Sequence, residues 1–281
     1  MNIKQFQSEN SRRSIPLRLI LIAPFVVQIF AAVSLVGYLS YRNGQKAVND
    51  VASQLRSEIG DRIKVELDKF TSTPYLVGQI TMADINQGKL KLNNSMSMEK
   101  HLWHQLFLFK NLTFNSYGNE RGEYIGPHRD PRTGILRISI SNPSNHNIVH
   151  VYNTDNAGNR TGIYQADKKL YPQNRIWYKE AKVKGKPTWN SIYSYVSYKT
   201  WGASMCLPIY NKNGGFHGVL LISISLSQIS NFLHRLKIGH TGQAFIIERD
   251  GNLVATSNLE QPYILGKKSQ ILRLAATHSQ D

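Results

Sequence analysis

The 281-residue sequence has a single cysteine, Cys206, and few acids: 18 Asp and Glu stand against 34 Lys and Arg, a net charge of +16. One cysteine excludes a disulfide framework and any cysteine-only metal cluster. The shortage of acids leaves little material for paired-carboxylate chemistry. HExxH, GxSxG, a glycine-rich phosphate loop followed by Lys, and DFG-type elements are all missing from the sequence. The nine histidines do not fill that gap. His101 and His104 lie one helical turn apart, but no third ligand joins them, so HLWH reads as surface and core decoration. Cys206 falls in a predicted strand and is expected to point into a core; a nucleophilic role would need a neighbouring base. Neither a metal, a cofactor nor a catalytic set is expected. Disorder is excluded too, because 41% hydrophobic and 10% aromatic residues is too much apolar mass.

What the sequence does have, near its start, is a run that cannot sit in water. Residues 19–41 are 23 consecutive uncharged residues, LILIAPFVVQIFAAVSLVGYLSY. As a helix this run spans about 34 Å, enough for a hydrocarbon core of roughly 30 Å. Pro24 and Gly37 are costly in a soluble helix but common in membrane helices. Lys4, Arg12, Arg13 and Arg18 precede the run against Glu9 alone, which places residues 1–18 in the cytoplasm. A cleaved signal peptide would have a shorter apolar core than this. A twin-arginine export signal would carry an aromatic residue after the pair in SRRSIPL. The expectation is therefore an inner-membrane protein with residues 42–281 on the periplasmic side. That side is strongly basic, but its bases are scattered and the compartment is wrong for nucleic acid, so none is expected as a partner.

Beyond the membrane run, Val51, Leu55, Ile59, Ile63, Leu67 and Phe70 recur every three or four residues among charged ones. This is an amphipathic stripe. It predicts a long helix over residues 42–76, continuous with the membrane helix and ending near Pro74. A homodimer paired along this helix is an added expectation. Thr81 and Asp84 look like the capped start of a new helix. A further helix is predicted at 98–110. Strands are predicted at 114–117, 122–125, 135–141 and 147–153, with 155–160 as a polar tip. A helical patch follows at 177–183, then strands at 191–197, 204–210 and 218–225. GVLLIS loses polar alternation, as a strand covered on both faces should. A helix at 227–236 closes this α+β domain, 77–236. Residues 237–281 begin a second, smaller one: a loop at 239–242, strands at 244–248 and 253–256, and a helix at 269–277. So few elements cannot bury a core alone, and the expectation is that the domain is incomplete here.

The binding signal lies between Tyr171 and Tyr195. Arg175, Trp177, Tyr178, Trp189 and Tyr193 fall together there. An Arg offers a fork of five donors suited to a carboxylate or phosphate, and Trp and Tyr offer flat walls with polar edges. The alternative is that the aromatics are core and that Arg175 pairs with Glu180 or caps a helix.

At these residues the sequence resembles a known family. NRIWYKEAKVKGKPTWNSIYSY, CLPIYNKNGGFHGVLLISISLSQISNFL and GHTGQAFIIERDGNLVATS, in this order after a membrane helix, resemble the double Cache domain of bacterial transmembrane receptors. The likeness is greatest to the N-terminal sensor region of cyanobacterial hybrid histidine kinases and nucleotide cyclases. The resemblance implies a long helix along two PAS-like domains, distal and proximal, each with a roughly five-stranded antiparallel sheet. The distal domain is the one that binds ligand. Amino-acid-binding members of the family imply that Arg175 holds a ligand carboxylate. In the same pattern Trp177 and Tyr178 supply a wall and a hydroxyl, and Tyr193 a later aromatic. The Asp that should meet the ligand ammonium falls on Ser223, and a second acidic position falls on Tyr195. Losing an acid opposite a buried ammonium is costly. The alternatives to an amino acid are then a carboxylate, another anion without an amine, or no small ligand.

The function implied is the ligand-sensing input of a receptor, with a histidine kinase as its output and a nucleotide cyclase or chemoreceptor as the alternatives. A membrane-tethered solute binder without output is a competing reading. An enzyme is disfavoured by the missing nucleophile, base and acid set.

Overall fold

The computed structural model describes residues 16–195, 198, 200–236, 238, 242–258, 262–265 and 271–278, without the side chains of Asp167, Leu265 and Ile271. The chain divides into two units, residues 1–60 and 61–281. Within the first, the described residues are helical from Leu17 onward and exposed almost throughout, including all of the apolar run but Ala23. An 18-residue window of that run has a mean hydropathy of 2.6, with none of it buried. By length and composition this segment can cross a membrane.

The helix, α1, is longer than predicted: it spans Leu17–Asn86, running through Pro74 and through Thr81 rather than starting anew there. The reason is tertiary. Phe70, Pro74, Val77, Gly78 and Thr81 are its buried residues, and Phe70 and Val77 belong to the main core of the second unit. A proline in a helix interior costs about 3 kcal/mol, which burial of this stripe offsets. The predicted stripe is only partly a packing face, since Val51 and Leu55 are exposed.

In the second unit, α2 (Ser95–Leu108) starts from Asn94, whose side chain accepts from the Ser97 amide. The sheet follows as β1 (Phe114–Asn119), β2 (Tyr124–Arg129), β3 (Leu136–Ser141), β4 (Ile148–Thr154) and β5 (Arg160–Lys169). After α3 (Ile176–Lys184) come β6 (Thr188–Trp189), β7 (Tyr193–Ser194), β8 (Trp201–Tyr210) and β9 (Phe216–Ser225), then α4 (Leu226–His234). All pairings are antiparallel, in the order β5-β4-β3-β2-β1-β9-β8-β6, with β7 beside β8. The first and last long strands of the sheet therefore meet in its middle, as β1 and β9. The sheet is more extensive than the five strands the resemblance implied. β5 was not foreseen; most of its residues are exposed, so there was no apolar alternation to read.

Both faces of this sheet are covered. On one, Tyr117, Leu207, Leu220 and Ile222 pack with α1, α2 and α4. On the other, Phe114, Tyr124, Cys206, Val219 and Leu221 pack with Trp177, Tyr178 and Ala181 of α3. The middle strand β9 is accordingly buried on both sides, which is why its sequence shows no polar alternation.

The remaining strands form two ribbons, β10 (Phe245–Ile247) with β11 (Leu253–Thr256) and β12 (Tyr263–Leu265) with β13 (Ile271–Arg273). Val254 and Ala255 join the main core instead of building one of their own. The predicted helix at 269–277 is not formed among the described residues. Instead, β13 pairs Leu272 with Ile264, Ala275 bridges to Asn252, and only Ala276–His278 make a helical turn, of the 3-10 type. Of the predicted loop at 239–242, only Gly242 is described. The architecture is thus an N-terminal apolar helix followed by two PAS-like antiparallel-sheet subdomains, one large and one small.

Candidate functional site

A cavity of ≈ 50 Å³ opens on the α3 face of the sheet. That is room for several waters, and so for a compact organic molecule. Its floor is supplied by Phe114 of β1, Tyr124 of β2, Ser139 of β3, Val149 and Val151 of β4 and Leu221 of β9. Gln165 and Lys168 of β5 and Leu170 close one side; Arg175, Trp177, Tyr193 and Tyr195 close the other.

The chain reaches this site through a sequence of stops. Tyr171 precedes a short 3-10 turn, Pro172–Asn174, and Arg175 then sits in extended conformation as the residue capping α3. Its carbonyl accepts from the amides of Tyr178 and Lys179, while its side chain makes no cap hydrogen bond. Close packing of this turn on the sheet depends on Gly118, where a Cβ would lie 2.7 Å from Pro172 Cβ and 3.0 Å from Trp177 Cη2.

Arg175 is half-buried and lines the cavity. Among the described residues its guanidinium has no hydrogen-bond or ion-pair partner. The pairing with Glu180 does not occur: Glu180 accepts from the Ser191 hydroxyl at 3.2 Å and lies 3.9 Å from Lys184 Nζ. The hydroxyls around the cavity are already engaged. Tyr124 donates to Ser116 Oγ (3.1 Å) and Tyr195 to the Ile224 carbonyl (2.6 Å). Tyr193, Ser204 and Ser223 form a chain of hydroxyls, 3.1 Å and then 2.6 Å apart. Burial pushes the Tyr193 and Tyr195 phenols well above their usual range and that of Tyr124 up to about 12, so all three are neutral. Tyr195 also stands edge-on to Phe114 and to Tyr193, with ring centroids 4.7 and 5.5 Å away.

Of the six residues predicted from sequence, the structure brings Arg175, Trp177, Tyr193 and Tyr195 to the cavity. Tyr178 and Ser223 do not line it. Adjacent positions on a helix diverge by about 100°, so with Trp177 at the cavity Tyr178 turns elsewhere. It donates to Glu120 Oε1 at 2.7 Å and stands edge-on to Phe216. Ser223 shares a sheet face with Leu221, but its hydroxyl is taken by Ser204 and the residue is fully buried. Sequence reading missed Phe114, Tyr124, Ser139, Val149, Val151, Gln165, Lys168, Leu170 and Leu221 as lining; they come from six strands and the residue that follows β5, and only the fold assembles them. No group of three or more His, Cys, Asp or Glu among the described residues could hold a metal. Cys206 is fully buried, and burial pushes its thiol far up, so it is inert.

No curated protein matches the sequence. Solved structures similar to it include the ligand-binding domain of Mlp24 with asparagine, 16% identical over 75% of this chain and 73% of that one, with a TM-score of 0.48. Another is the ligand-binding domain of the Campylobacter jejuni chemoreceptor Tlp3 in complex with L-norvaline, 17% identical over 73% and 70%, TM-score 0.48. A third is the ligand-binding domain of the Pseudomonas aeruginosa PAO1 amino-acid chemoreceptor PctC in complex with GABA, 16% identical over 71% and 72%, TM-score 0.44. The Cache domain family matches residues 40–278, nearly everything that follows the apolar run. The chain therefore belongs to the Cache domain family, as an extracytoplasmic sensor domain carried on an N-terminal membrane-spanning helix.

Proposed function

We propose that this chain is the ligand-sensing input of a transmembrane signalling receptor and that the ligand occupies the cavity beside Arg175. The observation that carries this reading is the guanidinium itself. A half-buried Arg that lines a cavity and has no protein partner among the described residues leaves a fork of donors for an occupant. An occupant with acceptor atoms would satisfy it. Signalling further requires that the ligand bind two conformations unequally. Phe114 of β1 faces the cavity, whereas its neighbour Asn115 points to the opposite face and donates to Gln105 of α2. Gln105 in turn meets Thr81 of α1 at 3.0 Å. A change at the cavity thus has a hydrogen-bonded route to the helix that continues toward the membrane.

The proposal is confined to the input. The histidine kinase expected from sequence has nothing in the structure behind it, and the chemoreceptor, whose domains are among the similar structures, is its alternative, along with a nucleotide cyclase. A homodimer is part of the proposal as well.

The test is a thermal-shift screen of small metabolites against the full chain in lipid nanodiscs. At least one compound should raise the melting temperature of the native chain and fail to do so for Arg175→Ala, whose own unliganded melting should be unchanged. Stabilising compounds that act equally on both chains would remove the cavity from the account. A ligand that binds at the cavity but leaves α1 unaltered in hydrogen exchange would favour a tethered solute binder.

A further inference from the structure

The charges around the cavity discriminate between ligands more sharply than its shape does. Arg175 and Lys168 both line it, and none of the described lining residues is acidic. Three described acids of neighbouring elements are committed elsewhere. Glu180 serves Ser191 and Lys184, Glu120 takes Tyr178 and Lys182, and Asp130 faces Arg137 at 3.4 Å. The three tyrosine hydroxyls are engaged within the protein, and Ser223 is closed off behind Tyr193 and Ser204. Among the described lining residues a ligand ammonium would therefore meet a guanidinium and no carboxylate. In a partly desolvated site that is repulsion without compensation. Apart from Ser139, whose hydroxyl lies 3.3 Å from His128 Nδ1, and Gln165, the rest of the wall is apolar, made by Phe114, Val149, Val151, Leu170, Trp177 and Leu221.

We infer that the cavity takes a compact carboxylate with an apolar body and without an amine, and that it discriminates against the corresponding amino acids. This rests on the reading of the cavity as the ligand site. Arg175 supplies a fork of donors that a carboxylate matches with two parallel hydrogen bonds, and a carboxylate is the smaller and less charged of the two groups, beside phosphate, that fit such a fork. Specificity comes from the charge of the described lining: it offers an amine no anionic partner, so the penalty falls on the amino acid and not on the acid.

The experiment uses two sets of three compounds that differ only in charge. One is 3-methylbutanoate, L-valine and 2-methylpropan-1-amine; the other is 3-phenylpropanoate, L-phenylalanine and 2-phenylethylamine. Each is titrated calorimetrically into the full chain in nanodiscs. At least one acid should bind about tenfold or more tightly than its amino acid, and its amine should not bind. Arg175→Gln should weaken the acid about tenfold or more, and Arg175→Lys, which keeps the charge without the fork, should fall between. Near-ultraviolet circular dichroism checks that both variants keep their packing; should Arg175→Gln lose it, Arg175→Lys alone carries the comparison. An amino acid that binds as tightly as its acid overturns the inference, as does acid affinity indifferent to both Arg175 variants, or silence from all six compounds. Val151→Phe, which fills the cavity, separates the two levels. Amine or amino-acid binding lost in Val151→Phe overturns the carboxylate inference and keeps the ligand site. Binding that Val151→Phe leaves untouched overturns both.

Discussion

His128 lies one layer from the cavity beside Arg175 and shows what burial does to a cation with no good partner. Its ring stacks on Phe114 at 5.3 Å and meets Tyr198 edge-on at 5.5 Å, while Nδ1 sits 3.0 Å from the Gly126 carbonyl and 3.3 Å from Ser139 Oγ. Loss of hydration pushes the imidazole down to about 4, and Arg137 adds to this while Gly126 and Asp130 oppose it. The unfolded chain therefore binds a proton near pH 6.5 that the folded chain refuses until about pH 4. Stability is full above the higher value and falls with acidification across the window, by up to about 3 kcal/mol in total. Urea midpoints measured across that range should show the slope, and His128→Gln should flatten it. An equal slope in the variant would assign the acid sensitivity to other groups. Arg175 differs in being half-exposed and facing open space, where the proposed ligand would meet it. Sequence reading found Arg175 because RxWY is a local pattern. It could not find Phe114 or Val151, which reach the cavity only once β1 and β4 are laid in register.

At the scale of elements, α1 is held to the sheet by contacts that a local reading takes for helix breakers. Pro74 and Gly78 are poor interior residues by propensity, and Thr81 resembles a cap. Yet a Cβ at Gly78 would lie 2.6 Å from Leu207 Cδ1 and 3.1 Å from Ile222 Cδ1, so the small residue sets how closely helix and sheet approach. Gly78→Leu should cost about 3 kcal/mol or more through overpacking, whereas the exposed Gly60 should accept the same change nearly free of cost. Thr81 holds a different contact: its hydroxyl lies 3.2 Å from His101 Nε2 as well as beside Gln105, and Asn115 shares the same Gln105 oxygen. Thr81→Val leaves those buried polar atoms short of a partner and should cost about 1–3 kcal/mol in denaturant unfolding. A double cycle with Gln105→Leu should show coupling; strict additivity would mean that α1 and α2 are joined by apolar packing alone. β9 was legible because both its faces are covered and its run is apolar. β5 was illegible because an edge strand with irregular register, paired only to β4, carries its residues in solvent. The predicted C-terminal helix failed for a related reason: short segments take the structure that their pairing partners impose.

At the scale of the whole molecule, the one cysteine makes topology directly measurable. Cys206 is buried between the sheet and α3, with its thiol held protonated, so the unmodified chain should be silent to thiol reagents in the native state. A cysteine introduced at an exposed position then reports its own side of the membrane. Val183 on α3 is 87% exposed and no hydrogen bond involves its side chain, so Val183→Cys should leave the fold intact. The apolar run of residues 19–41, preceded by Lys4 and three arginines, requires that α3 lie outside the cytoplasm. In intact spheroplasts a membrane-impermeant maleimide should therefore label Val183→Cys within minutes, at a rate unchanged by permeabilisation. Labelling that appears only after permeabilisation would place the sheet and its cavity in the cytoplasm. The basic cavity wall would then face cytoplasmic anions, and the positive-inside argument, on which the sensor's orientation depends, would fail with it.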